Sequence, residues 1–132
     1  MALMDKIAAL QSFFTQFLPS YEENAIYSQP VRPAFPYITY EGIFSRFNDD
    51  PYASTSCTFS TWYREASWRN AVAKTAEISR AIPQSGLRIP CDEGVLVVRA
   101  ESDPFGQRMG DDSDDLIKRT VHRINVTFFT LN

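Results

Sequence analysis

Glycine, cysteine and histidine are scarce in this chain of 132 residues, with five, two and one respectively. The glycines form neither a dinucleotide-binding nor a P-loop pattern, so no phosphate cradle is encoded locally. A lone His122 excludes histidine-rich metal centres and the HExxH arrangement. Cys57 and Cys91 lie in different segments without a CxxC. Two cysteines fix no disulfide framework, and two free thiols are expected. Long apolar runs are missing too. The longest uncharged stretch, Ile7 to Tyr21, is interrupted by Gln11, Ser12, Thr15, Gln16 and Pro19, short of the ~20 apolar residues of a membrane span. Positive charge is not in excess: 13 basic residues against 16 acidic leave a net charge of −3, which argues against a broad basic surface for nucleic acid. The opening MALMDK carries no basic n-region and no cleavage pattern follows, so retention inside the producing cell is expected.

Aromatic side chains, by contrast, are abundant. Ten Phe, six Tyr and two Trp make up 14% of the chain, more than a small core readily hides. Either the core is Phe-rich or part of the surplus is buried against other subunits. With 44% hydrophobic and 22% charged residues the composition is globular, and the length suits one domain spanning 1–132.

Met4 to Leu18 reads as an amphipathic helix, with Ile7, Leu10, Phe14 and Phe17/Leu18 at helical spacing and Pro19 ending it. Ser20 to Pro36, with Pro30, Pro33 and Pro36, reads as a long irregular stretch. Tyr37 to Phe47 and Ser56 to Arg64 read as a hairpin with a polar tip at Asn48-Asp49-Asp50-Pro51. Ser67 is placed to cap a second helix, with Trp68, Ala71, Val72, Thr75, Ile78/Ser79 and Ile82 along one face and Pro83 and Gly86 as stops. Leu87 to Cys91 and Val95 to Ala100 flank a turn at Asp92-Glu93-Gly94. The final strand runs from about Ile117 to Leu131, with Ile124, Val126 and Phe128 alternating against Arg123, Asn125 and Thr127. The expected fold is α+β, a mostly antiparallel sheet packed against two helices in the order α-β-β-α-β-β-β.

No catalytic constellation assembles from these residues. His122 sits between Val121 and Arg123 with no motif joining it to Cys57 or Cys91, and reads as a structural or surface histidine. The run Asp111-Asp112-Ser113-Asp114-Asp115 lacks EF-hand spacing and reads as a solvated turn. Its setting is more informative. Six acidic residues and one base, Arg108, lie between Glu101 and Asp115, whereas Lys118, Arg119 and Arg123 follow. Such segregation suits head-to-tail contact between identical subunits, and equally an internal ladder of ion pairs.

Pro36-Tyr37-Ile38-Thr39-Tyr40, Ser60-Thr61-Trp62-Tyr63-Arg64 before Ser67-Trp68, Pro104-Phe105-Gly106-Gln107-Arg108, and Ser113-Asp114-Asp115-Leu116-Ile117-Lys118-Arg119 occur in that order. Together they resemble the tail terminator, or tail-completion, proteins of long-tailed bacteriophages, also described as minor capsid or neck proteins. Asp103 and Gly106 depart from the small or Thr residue and the Ala usual there. The resemblance implies an α+β subunit that assembles into a homohexameric ring on the head-proximal end of the tail tube. Such a ring stops tube polymerisation and joins the tail to the connector below the head. The implied partners are further copies of itself, the major tail tube protein and the connector or stopper, with DNA only in passage. Neither a cofactor, a metal, catalysis nor a membrane is implied. The implied location is the virion neck, assembled in the host bacterial cytoplasm. A head-side connector or stopper of the same neck is the neighbouring reading. On this reading Phe105 is an interface anchor or else an ordinary loop-packing aromatic. Gln107 belongs to the same interface. Arg108 and Arg119 pair with a neighbour's Asp114 or Asp115, or within the subunit. Asp111 and Asp112 belong to that contact or face the channel.

Overall fold

A computed structural model describes residues 5–27, 33–41, 54–92, 94–101, 104–110 and 113–130. The first helix, α1 (Lys6–Thr15), is shorter than its apolar pattern. Asp5 sets its start by accepting the Ala8 N–H at 2.7 Å, a side-chain N-cap. Its end tightens before Pro19, as Phe17 N–H bonds Phe14 C=O. The buried face holds Ala9, Leu10, Phe13 and Phe14, while Ile7 is exposed, a rotation from the expected stripe.

The segment expected to be irregular contains two short elements, β1 (Ser20–Glu22) and the one-turn helix α2 (Glu23–Tyr27). β1 runs parallel to β2 (Tyr37–Tyr40), which pairs antiparallel with β3 (Ser54–Arg64). The second half of the expected first strand and the Asn48–Pro51 tip lie outside the described residues. α3 (Arg69–Ala81) follows; the Ser67 hydroxyl accepts the Arg69 N–H at 2.9 Å, with Trp68 in the cap position. Gly86 then turns the chain through left-handed backbone, φ +99°. β4 (Leu87–Cys91) and β5 (Gly94–Ala100) form the expected hairpin. β6 (Gly106–Gly110) is an additional strand, and β7 (Ile117–Thr130) closes the chain. The fold is therefore α+β with a mostly antiparallel sheet, but the element order differs from expectation by β1, α2 and β6.

The sheet has seven strands in the path β1-β2-β3-β7-β5-β4, and β6 also pairs with β7. β7 is the spine. Its residues Ile117 to Thr127 face β3 on one side; on the other, its C-terminal half faces β5 and its N-terminal half β6. β5 and β6 thus lie end to end along one edge, joined by an excursion through Pro104 and Phe105.

Both long helices lie on one face of the sheet. α1 brings Phe14 onto Tyr40 and Phe59, and α3 brings Thr75 onto His122. What they cover differs. Beneath α1 the strands contribute Phe59, Leu96, Val98, Ile124, Val126 and Phe128, an apolar core that also takes in the buried Cys57 and Cys91, which form no disulfide. The N-terminal half of β7 and its neighbours instead bury Thr61, Lys118, Thr120 and His122. α3 buries only Ala71 and Ile78 of its own length, and Val72, expected on its inner face, is exposed. Helix α3 therefore rests on a polar seam.

That seam is closely fitted at Gly106. A Cβ built there would lie 2.7 Å from Thr75 Cγ2 and 2.9 Å from Thr120 Cγ2. Both neighbours are stiff β-branched side chains, so the glycine at 106, where the resemblance leads one to expect alanine, is matched by the threonines facing it. Gly106→Ala is expected to lift α3 from β6 and cost about 1–3 kcal/mol, read as a lower urea midpoint with an unchanged slope.

Candidate interaction surface

Parity along the paired strands sorts the sequence-expected site residues onto the two faces. Phe105 reaches the helix-covered side, where its ring lies 5.0 Å from the His122 imidazole and 6.2 Å from Phe59. Within the subunit it packs as a loop aromatic does, the second of the two roles expected for it. Phe105 is half-buried and caps the polar seam. His122 is 1% exposed, and its ring stacks on Phe59 at 4.6 Å with planes 12° apart. Nε2 shares a 2.8 Å hydrogen bond with Thr75 Oγ1, while Nδ1 has no hydrogen-bond partner. Burial lowers its pKa from 6.5 to about 4; the Phe59 backbone opposes this without reaching hydrogen-bond geometry. The histidine is structural.

The acidic and basic residues of the β6–β7 region do not form a ladder of ion pairs among the described residues. Asp114 is engaged within its own subunit, with Oδ2 accepting from Arg64 Nε and Oδ1 from Leu116 N–H, each at 3.0 Å. Asp114 thus makes a pair within the subunit, with Arg64 where Arg108 or Arg119 was expected. Arg108 lies over the Trp68 ring at 5.3 Å, with Lys118 over the same ring at 5.8 Å. The Lys118 ammonium also donates to the Asp115 carbonyl. Arg119 donates from Nε to Ser60 Oγ at 3.1 Å and sits over Trp62 at 4.7 Å. Cation–π contacts thus hold arginines for which carboxylates were expected. The Asp115 residue is exposed. Gln107 is exposed on the face opposite the helices, paired with Val121. Asp111 and Asp112 lie outside the described residues.

On that opposite, helix-free face a row runs straight across four strands: Met109 beside Arg119, Arg119 beside Trp62, Trp62 beside Tyr37. Tyr37 and Trp62 stack at 6.1 Å, Phe35 tilts onto Tyr37 at 5.2 Å, and Trp62 Nε1 donates to Thr39 Oγ1 at 2.8 Å. Met109 is 46% exposed and Phe35 36%. Tyr37 itself is buried at 2%, so the row reaches the surface through Met109, Arg119 and Trp62, with Phe35 beside it; arginine, Met and large aromatics are the residue types enriched in protein interfaces. The sequence carries these residues openly; what it does not carry is the strand register that aligns them. Among the described residues no group of three His, Cys, Asp or Glu side chains forms a metal cradle. No helix there is long and apolar enough to cross a membrane. Neither protein-family models nor curated proteins match the chain.

Proposed function

We propose that this chain is a bacteriophage tail terminator: a non-enzymatic ring subunit that caps the head-proximal end of the tail tube and joins it to the head connector. One observation carries the reading. The motifs that resemble that family are scattered from Pro36 to Arg119 in the sequence, yet they fall on the adjacent strands β2, β3, β7 and β6, or on the turns leading into them. Their residues Tyr37, Trp62 and Arg119 share the cross-strand row that ends at Met109. Ser67-Trp68, part of the same set, meets Arg108 and Lys118 through the Trp68 ring. Motifs that serve only to fold a domain have no need to converge on one end of its sheet.

A tube that grows by adding subunits is stopped by a ring with one face like a tube subunit and another that is not. In this reading the ring is a homohexamer of the virion neck, assembled in the bacterial cytoplasm. Its partners are the major tail tube protein and the head-side connector, with DNA passing through its channel and no cofactor. The test is electron microscopy of particles from a phage lacking the protein. Over-long tubes beside DNA-filled, tailless heads are expected. Normal tails detached from emptied heads would move the protein to the head-side stopper, and intact virions would overturn both roles.

A further inference from the structure

We propose that the cleft between helix α3 and Tyr63 of β3 binds a primary ammonium group on a slender alkyl stem, either a free alkylamine or a lysine side chain. The cleft encloses about 420 Å³ and is lined by Tyr63, Asn70, Ala73, Lys74, Glu77 and Arg80. The five α3 residues fall on one flank of the helix at helical spacing, and the strand supplies Tyr63 against them. Tyr63 is the unusual member. It is 6% exposed, and its hydroxyl has no hydrogen-bond partner among the described residues, although a buried tyrosine ordinarily finds one. Burial, then the carboxylates of Glu65 and Glu77, push its pKa up to about 12, so the hydroxyl stays protonated with its lone pairs free. The charges acting on that oxygen are negative, which favours a cation beside it.

Two further acceptors line the same cleft. Asn70 donates from Nδ2 to Glu65 Oε2 at 2.7 Å; a carboxylate only accepts, so the amide Oδ1 is left as an acceptor. Glu77 engages Lys74 through Oε2 and keeps Oε1. Three acceptors match the three N–H donors of an ammonium, a pattern that neither a planar guanidinium nor a quaternary ammonium reproduces. The protein's own cations are held elsewhere. Lys74 Nζ is shared between Glu77 and the Phe17 carbonyl at 3.3 Å, which ties α3 to the end of α1. Lys118, opposite Tyr63 in the strand register, turns its ammonium to the Asp115 carbonyl and the Trp68 ring. Arg80 stands about 15 Å along the helix from Asn70, at the far end of the cleft. Ala73 and the Tyr63 ring supply an apolar lining for the alkyl stem.

Titration with n-butylammonium chloride, followed by the amide chemical shifts of isotope-labelled protein, tests the site. Saturable shifts at Asn70, Ala73 and Glu77 are expected, with a Kd of about 1–10 mM, the range open to so small a ligand. Tetramethylammonium chloride, which has the charge but no N–H, should produce none of them. Tyr63→Phe removes only an unpartnered hydroxyl and should melt as the wild type does, yet bind n-butylammonium about threefold more weakly. Glu77→Gln should weaken binding about tenfold. A Gly-Lys-Gly peptide with blocked ends that binds more tightly than n-butylammonium would identify the occupant as a lysine side chain; one that binds no more tightly would identify it as a free amine. Failure to saturate below ~100 mM, equal shifts with tetramethylammonium, or undiminished binding by Tyr63→Phe would overturn the proposal. The capping role is judged separately, on tail length in particles lacking the protein.

Discussion

Phe14→Ala is expected to remove about 3–5 kcal/mol of folding free energy, the largest loss from any single truncation in this chain. Phe14 is completely buried and stands where helix α1 meets the sheet. Its ring stacks on Tyr40 at 4.7 Å, tilts against Phe59 at 5.0 Å and meets the Phe13 edge at 5.3 Å. Truncation deletes the transfer free energy of the ring and opens a cavity that the surrounding aromatics are too stiff to fill. Each lost ring pair adds to that. Against a typical domain stability of about 5–15 kcal/mol, the variant keeps only a marginal fold, and its melting temperature should fall by about 15 °C. Phe17→Ala is the control: Phe17 is only half-buried at the rim of the same cluster and should cost a fraction as much. Equal losses from the two would mean that α1 is held by its length and not by the Phe14 socket.

The aromatic surplus visible in the sequence therefore divides in two. Phe13, Phe14, Phe59 and Phe128 belong to the core, as a Phe-rich core requires. Trp62 and Phe35 line the helix-free face with Tyr37, while Trp68 stands at the start of α3 beneath Arg108. Composition could not separate these sets, because alternation in β3 places Trp62 one residue from Tyr63 and therefore on the other side of the sheet.

Elements whose pattern is continuous with their tertiary environment were legible. β7 buries Ile124, Val126 and Phe128 on its helix-covered face, and β4 and β5 form the expected hairpin, with Cys91 paired to Gly94. The elements that were not legible owe their existence to a neighbour. β1 has three residues and is held by parallel pairing to β2, and β6 is a glycine-bounded, largely exposed strand held by β7. No local propensity encodes either. Arg119 was singled out for its charge, yet it rests on Trp62, a partner 57 positions earlier that only the β3–β7 register supplies. Phe105 was legible as an unusual loop aromatic but not in its direction, since the excursion between β5 and β6 turns it inward over His122.

That inward turn makes the polar seam sensitive to acid. With a folded pKa of about 4 and an ordinary value of 6.5 in the unfolded chain, His122 is protonated far more readily once the protein opens. The unfolded state thus binds more protons between those values. The stability contributed by the neutral, buried ring is complete above about pH 6.5 and is lost as pH falls toward 4, by about 3 kcal/mol in total. Phe59, Phe105 and Thr75, the side chains against the ring, are uncharged, so none can take up the positive charge of an imidazolium. Carboxylates protonating in the same range also move the wild-type curve, and for that reason the difference from His122→Gln is the informative quantity. Urea unfolding of both proteins at pH 7.5, 5.5 and 4 is expected to show the wild type ahead at pH 7.5 and the gap closing steadily on acidification. A gap constant with pH would mean that the imidazole stays accessible to protons in the folded protein and that Phe105 does not seal it. Relief of the seam should also be visible locally: at pH 4 the amides of α3, which buries only Ala71 and Ile78, should exchange before the central amides of α1, whose buried face lies in an apolar socket away from its Asp5 cap.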